Sequence, residues 1–468
     1  MPHGQSRVAV PAPAIHGTAV RLGPAHEVLP LGTLSSLLEA LVGQAARASL
    51  TPPPGRLLPH LSSLAVRMPQ HRTDALRLTG PDRDHVACAG TAWASNFGFE
   101  FLLETPPAPA DLNAALAVVC EQTPRMRARV RGDRWQPGPA PRAEIHEGSG
   151  LDLDLLRSDF VDKHFDPAVD PPVRVHLSGR RVSIACMHGG CDAAGLVGFA
   201  SDVFSTLVGL PTHQATSKVR PLLRRSAWRP DVVRELPRLR LRSGNHVTPF
   251  PARTPPAPES EASVWSLSPD ETESALESAG SAGPTGIAAA AVFARCLEDA
   301  PRGAEATMFV PVNLRSTTQR WWPVGNHIGY LLVHHSGTVS PGQYSREVRS
   351  RSGPAGYAAR WEQVLGAARR ALGRRSTPPP SPDLSSPPIS VSVNNLGRID
   401  PAVLPGVEEM VFVGSNSPLY PVVTLQTVGR RMTVCARVRR HHGGRRVADE
   451  LIQIIRDAYG LGATAARA

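Results

Sequence analysis

Apolar and polar positions alternate along "VRVHLSGRRVSIACMH" (173–188), on both sides of the break "SGR". A period of two predicts strands half buried on one face, and the glycine between them predicts a hairpin. The next stretch, "DAAGLVGFASDVFSTLVGL" (192–210), changes to helical spacing with small residues on one face. Asp192 stands at its start, where a helix N-cap is expected. The same reading predicts helices over 31–50, stopped by "TPPPG", and over 110–130, with Asp111 near the start. Residues 85–105 read as strand-like between these two helices.

The second half repeats this alternation of element types. "SPDETESALESAG" (268–280) opens with Ser268 three residues before Glu271, a capping box that predicts a helix. Helices are also expected over 286–300, over roughly 341–371, and over 447–460. Strands are expected over 306–315 and in "ISVSVNNLG", "EEMVFVG", "PVVTLQTVG" and "RMTVCARVR". The basic, Pro-interrupted stretch 219–244 and "TPFPARTPPAPESEA" (248–262) interrupt the pattern as a linker would, and 374–388 is a proline-rich loop. The expected division is an N-terminal extension (1–80), a first lobe (81–215), a Pro/Arg-rich linker (216–262) and a second lobe (263–468).

Composition adjusts this picture only a little. The chain has 468 residues, 41% of them apolar, enough for two or three buried cores. No run of eighteen apolar residues predicts a transmembrane helix, and the N-terminus lacks the apolar core of a secretory signal. Six dispersed cysteines do not form a disulfide framework, so a reducing cytoplasm is the expected compartment. The net charge of +11 is carried almost wholly by arginine, with lysine only at Lys163 and Lys218. Aromatic residues do not interleave with the basic clusters, so no nucleic-acid surface is expected. An acidic partner or a phosphate-bearing substrate remains compatible with the charge.

The chemistry concentrates in "CMHGGCDAAG" (186–195), where His188 lies between glycines and cysteines, four residues before Asp192. One reading is structural: glycines and a polar cap suit a strand-to-helix corner. A metal reading would use Cys186, His188 and Cys191, but zinc sites usually pair ligands on both sides of a loop and no second pair is assignable, so no metal is expected. A third reading is catalytic. A histidine at the end of a buried strand can take a proton from an alcohol or amine as it attacks a carbonyl. No Gly-x-Ser-x-Gly elbow competes for the role.

"HFDPAVDPPVRVHLSGRRVSIACMHGGCDAAGL" (164–196) resembles the core of the CoA-dependent acyltransferase superfamily. That superfamily includes chloramphenicol acetyltransferase, polyketide-associated acyltransferases, wax ester synthases and the condensation domains of nonribosomal peptide synthetases. Its hallmark is His-x-x-x-Asp, which falls here on His188 and Asp192. "ADLNAALAVVCEQTPRMRARV", "VPVNLR", "VGNHIGYLLV" and "VSVNNLGRI" follow in the family's order, so the likeness runs from about residue 85 to 460. Met187 replaces the first histidine of the family's doubled motif and Ala193 the glycine after the aspartate; the plant-branch Asp-Phe-Gly-Trp-Gly motif is absent.

The resemblance implies an α/β (α+β) fold of two chloramphenicol-acetyltransferase-like lobes with the active-site channel between them. It implies an acyltransferase with His188 as general base, whose donor is acyl-CoA or a phosphopantetheinyl thioester on an acyl carrier protein, and whose acceptor is a small alcohol or amine. No separate cofactor is implied. Asp192 would pair with Arg315 to hold the corner, although a strand-end arginine in solvent fits Arg315 as well. Asn326 and Asn395 are channel candidates that also suit turns beside their glycines. Trp321 and Trp322 would wall an acceptor pocket or pack in the core. The other functional class is a non-catalytic condensation-like module that recruits a carrier protein or a synthetase.

Overall fold

The computed structural model describes residues 19–22, 27–30, 76–78, 96–146, 160–212, 259–298, 300, 303–313, 326–371, 390–415 and 419–462, with single positions 82, 83, 85, 86, 89, 235, 324 and 417. The helix expected over 31–50, the loop 374–388, Arg315, Trp321 and Trp322 lie outside them. Strands β1 (Ala19–Leu22) and β2 (Glu27–Pro30) form a separate antiparallel pair, and β3 (Leu76–Arg77) joins β6 (Arg134–Pro137) and β5 (Ala128–Arg131) in a small sheet.

The first large sheet is built on β4 (Asn96–Leu103), β7 (Ala143–Ile145), β8 (Val173–Ser178) and β9 (Arg181–Met187). The hairpin expected over 173–188 forms with Ser178 opposite Arg181, and Gly179 turns the corner at a φ of 55° that glycine adopts without strain. Helices α1 (Pro109–Gln122) and α2 (Ala193–Leu207) cover one face of this sheet. Leu112, Leu116, Val182, Ile184, Leu196 and Phe199 share a single buried cluster there. The helix read as continuous to residue 130 ends at Gln122, because Pro124 has no amide hydrogen to continue the ladder; β5 follows.

The second sheet has the order β10-β16-β15-β13-β11-β12 and mixes parallel with antiparallel pairs. Its strands are β10 (Ser260–Ser266), β11 (Ala306–Asn313), β12 (Ile328–His335), β13 (Val391–Ile399), β15 (Val422–Val428) and β16 (Arg431–Arg439). Helices α3 (Pro269–Ala279), α4 (Gly283–Leu297), α5 (Pro341–Ala371) and α6 (Gly444–Ala458) cover it, with Phe293, Tyr344, Leu451 and Ile455 in its core. The Ser268–Glu271 capping box forms as expected. β10 starts at Ser260, two residues before the end of the stretch read as linker, and within that stretch Glu235 is buried against Arg351, 3.0 Å away.

One strand crosses between the halves. β14 (Val407–Val413) leaves the second half and pairs antiparallel with β4, so the first sheet reads β14-β4-β9-β8-β7. Val411 and Val413 then join Ala185, Met187, Ala262 and Cys435 in a third buried cluster between the two sheets. Each lobe is a layered α/β unit, and the end of β9 is buried on both faces where they meet.

Candidate active site

β9 ends at Met187, and the chain must reverse within five residues to start α2 at Ala193. Gly189 and Gly190 make this possible by close approach. A Cβ on Gly190 would lie 2.5 Å from Cβ of Pro172, and one on Gly189 would lie 3.1 Å from Cγ2 of Val86. The turn closes with Gly190 N–H donating to the Met187 carbonyl (2.8 Å), while Met187 N–H donates to Pro172 (2.8 Å). His188 sits at the apex, half-buried, between β9 and α2.

The His188 ring is held by packing. The ring of His85 lies flat against it, with centroids 4.2 Å apart and planes 7° from parallel. Phe97 meets it edge-on at 5.0 Å. Nδ1 is buried without a side-chain hydrogen-bond partner. Crowding around the ring lowers its pKa below the usual histidine value; its own carbonyl, the Asp192 charge and Asn326 oppose that shift. A neutral imidazole at pH 7 can accept a proton.

Asp192 faces away from this chemistry. Its Oδ1 accepts from Gly195 N–H at 2.8 Å, capping α2, and its Oδ2 accepts from His327 N–H at 2.6 Å. The cap is the one the sequence predicts, and the bond to His327 ties the motif to the second lobe.

Asn326 completes the clasp. It is 4% exposed, and its Nδ2 donates to the His188 carbonyl at 2.9 Å and to Asp82 Oδ1 at 3.1 Å. Its N–H groups are thus engaged with the turn, so Asn326 braces the His188 main chain rather than offering a free donor to an oxyanion. Arg125 does the same from the end of α1: Nη2 donates to the Gly189 carbonyl at 2.9 Å and lies 2.5 Å from Asp82 Oδ1. Asn395 is exposed on β13; its Oδ1 accepts from Gly397 N–H at 2.6 Å and its Nδ2 meets Thr285, which is the turn role.

His85, Asp82 and Arg125 were not legible as site residues. Arg125 lies inside "TPRMR", part of a stretch that resembles the superfamily's early helix, but nothing in its spacing points at residue 189. His85 and Val86 fall in a stretch read as strand, whereas both are helical; strand begins at Asn96.

Cys186 and Cys191 bring their sulfurs to 3.5 Å, both fully buried, and burial raises the Cys191 pKa well above the usual thiol range. Among the described residues, Glu144 on β7, His146 just past its end and His176 on the paired β8 also cluster. His146 Nε2 and His176 Nδ1 are 2.7 Å apart, a hydrogen bond, whereas two nitrogens on one zinc ion stand roughly 3.3 Å apart if its bonds are about 2.05 Å and tetrahedral. Lys163 occupies the other side of Glu144 at 3.6 Å. The cluster therefore reads as a hydrogen-bonded support for the sheet edge.

No protein-family model matches the sequence, and no curated protein matches it. Solved structures do match its fold. The EpoB NRPS cyclization-docking bidomain from Sorangium cellulosum superposes with a TM-score of 0.60 at 13% identity, over 95% of this chain and 96% of that one. TRI3 trichothecene 15-O-acetyltransferase from Fusarium sporotrichioides gives 0.60 at 11% identity, over 83% and 95%. The X-domain from teicoplanin biosynthesis gives 0.56 at 14% identity, over 85% and 97%. These likenesses establish the condensation-domain fold of two lobes. Among the described residues no helix is long and apolar enough to cross a membrane.

Proposed function

We propose that this chain is an acyltransferase of the CoA-dependent superfamily, moving an acyl group from a thioester to an alcohol or amine with His188 as general base. The observation that carries the reading is the place of His188: a half-buried residue with Nδ1 turned inward, at the apex of a turn that both lobes hold. Nε2 takes the proton of the acceptor as its oxygen or nitrogen attacks the thioester carbonyl. The tetrahedral intermediate collapses, the carbon–sulfur bond breaks, and the imidazolium returns the proton to the departing thiolate. The N-terminus of α2, beside this turn, favours negative charge and supports the developing oxyanion. The donor is acyl-CoA or a carrier-bound phosphopantetheinyl thioester, both of which suit the basic chain.

The test is a panel of acyl-CoA and acyl-pantetheine thioesters with pooled alcohols and amines, read by mass spectrometry for ester or amide product. Product that vanishes in His188→Ala supports the reading. Binding of a carrier protein with no product from any donor would favour the recruiting module instead.

A further inference from the structure

We infer that His85 is a positioning residue for His188, holding the base in the plane from which Nε2 meets the acceptor. The inference rests on the acyltransferase reading for its consequence in rate, and on geometry for the contact itself.

A general base commonly keeps its orientation through a hydrogen bond from its second ring nitrogen. Here Nδ1 of His188 is buried with no side-chain partner, the ring has only its own carbonyl and Asn326 to lean on, and the oxygens of Asp192 accept from Gly195 and His327. Those bonds leave the faces of the ring unguided, and two rings pack on them. Phe97 presents an edge from β4, and His85 presents a flat face at 4.2 Å. Rotation of the His188 ring about its Cβ–Cγ bond would drive it into His85, so one plane is retained.

The segment carrying His85 is docked on the same frame as the turn. Asp82, fully buried, receives both Arg125 and Asn326, and these two side chains also hold the Gly189 and His188 carbonyls. Val86 closes over Gly189. His85 and His188 are thus indexed to one another through two shared donors. His85 itself is held neutral: burial and His188 lower its pKa to about 3, against the pull of Asp82. An uncharged face is what a ring that must accept a proton needs beside it. Among the described residues, the groups whose charge acts on His188 are His85, and Asp192 at the start of α2, with the Asp82–Arg125 pair on the same frame.

The experiment compares His85→Ala, which removes the ring, with His85→Phe, which keeps a flat one. Steady-state kinetics give kcat and KM separately, and NMR of selectively labelled histidine follows the His188 Cε1–H signal through pH. His85→Ala is expected to lower kcat by roughly ten- to a hundredfold with KM little changed, the scale of a misoriented reacting group. Its His188 titration should move up toward the ordinary value as water reaches the ring. His85→Phe should recover most of the rate and keep the low titration. Wild-type kcat and an unmoved titration in His85→Ala would overturn the inference, and so would equal loss in both variants. If no acyl transfer is found in the wild type, the NMR comparison still decides the contact: the titration moving in Ala and not in Phe upholds the positioning while the reaction assignment falls.

Discussion

The main-chain N–H of His327 donates to Oδ2 of Asp192 at 2.6 Å, across 135 positions of sequence. Asp192 is 1% exposed, and its other oxygen caps α2. One carboxylate therefore fixes the start of the helix and fastens the second lobe to the motif.

Asp192→Asn should destabilise the protein, because an amide presents a donor to one of two N–H donors that now meet oxygen. A buried polar group left unsatisfied costs about 1–3 kcal/mol, and chemical denaturation would read it. The sequence also nominates Arg315 as the cation for Asp192. A double-mutant cycle with Arg315→Ala is expected to be non-additive; additive losses would remove Arg315 from this role.

His188→Ala should unfold at nearly the wild-type temperature, since Asn326 and Arg125 hold the turn through main-chain carbonyls that alanine keeps. Acyl transfer should fall by about a hundredfold or more, the scale of a lost general base. A parallel fall in melting temperature would assign the residue to structure.

Gly190→Ala should cost about 1–3 kcal/mol, because its Cβ would stand 2.5 Å from a Pro172 ring that cannot swing aside. Exposed Gly337, with no atom near its Cβ, provides the control: Gly337→Ala should change stability by less than about 0.5 kcal/mol. Urea midpoints for the two variants make the comparison.

Stability should fall on acidification below pH 6.5. Burial, the largest influence, lowers the His176 pKa to about 4, with Glu144 opposing and His146, Lys163 and Arg174 adding to the shift. His85 is lowered to about 3 by burial. Below pH 6.5 the unfolded chain binds protons at these histidines that the folded chain refuses, so the stability present above pH 6.5 is lost as pH falls toward 4. Each contributes a slope of up to about 1.4 kcal/mol per pH unit. The difference between urea midpoints at pH 7.5 and pH 5 should shrink in His176→Leu, and an unchanged difference would mean that His176 titrates normally.

The local elements were readable in the sequence because their causes are local. The period-2 hairpin at 173–187, the caps at Asp192 and Ser268, and the helix over 341–371 each depend on residues a few positions apart. The two-lobed fold was different in kind: it was implied by the resemblance of the phrases around His-x-x-x-Asp to a known superfamily, not by any local rule. What brings β14 into the first sheet, Asn326 to the His188 carbonyl, and His85 onto the His188 ring is burial shared between segments more than 100 residues apart. No spacing rule records such burial. A sheet edge accepts any strand whose apolar face completes its core, and a clasp forms wherever two buried carbonyls need donors. The sequence determined where a base could stand; only the packing of the two lobes decided what faces it.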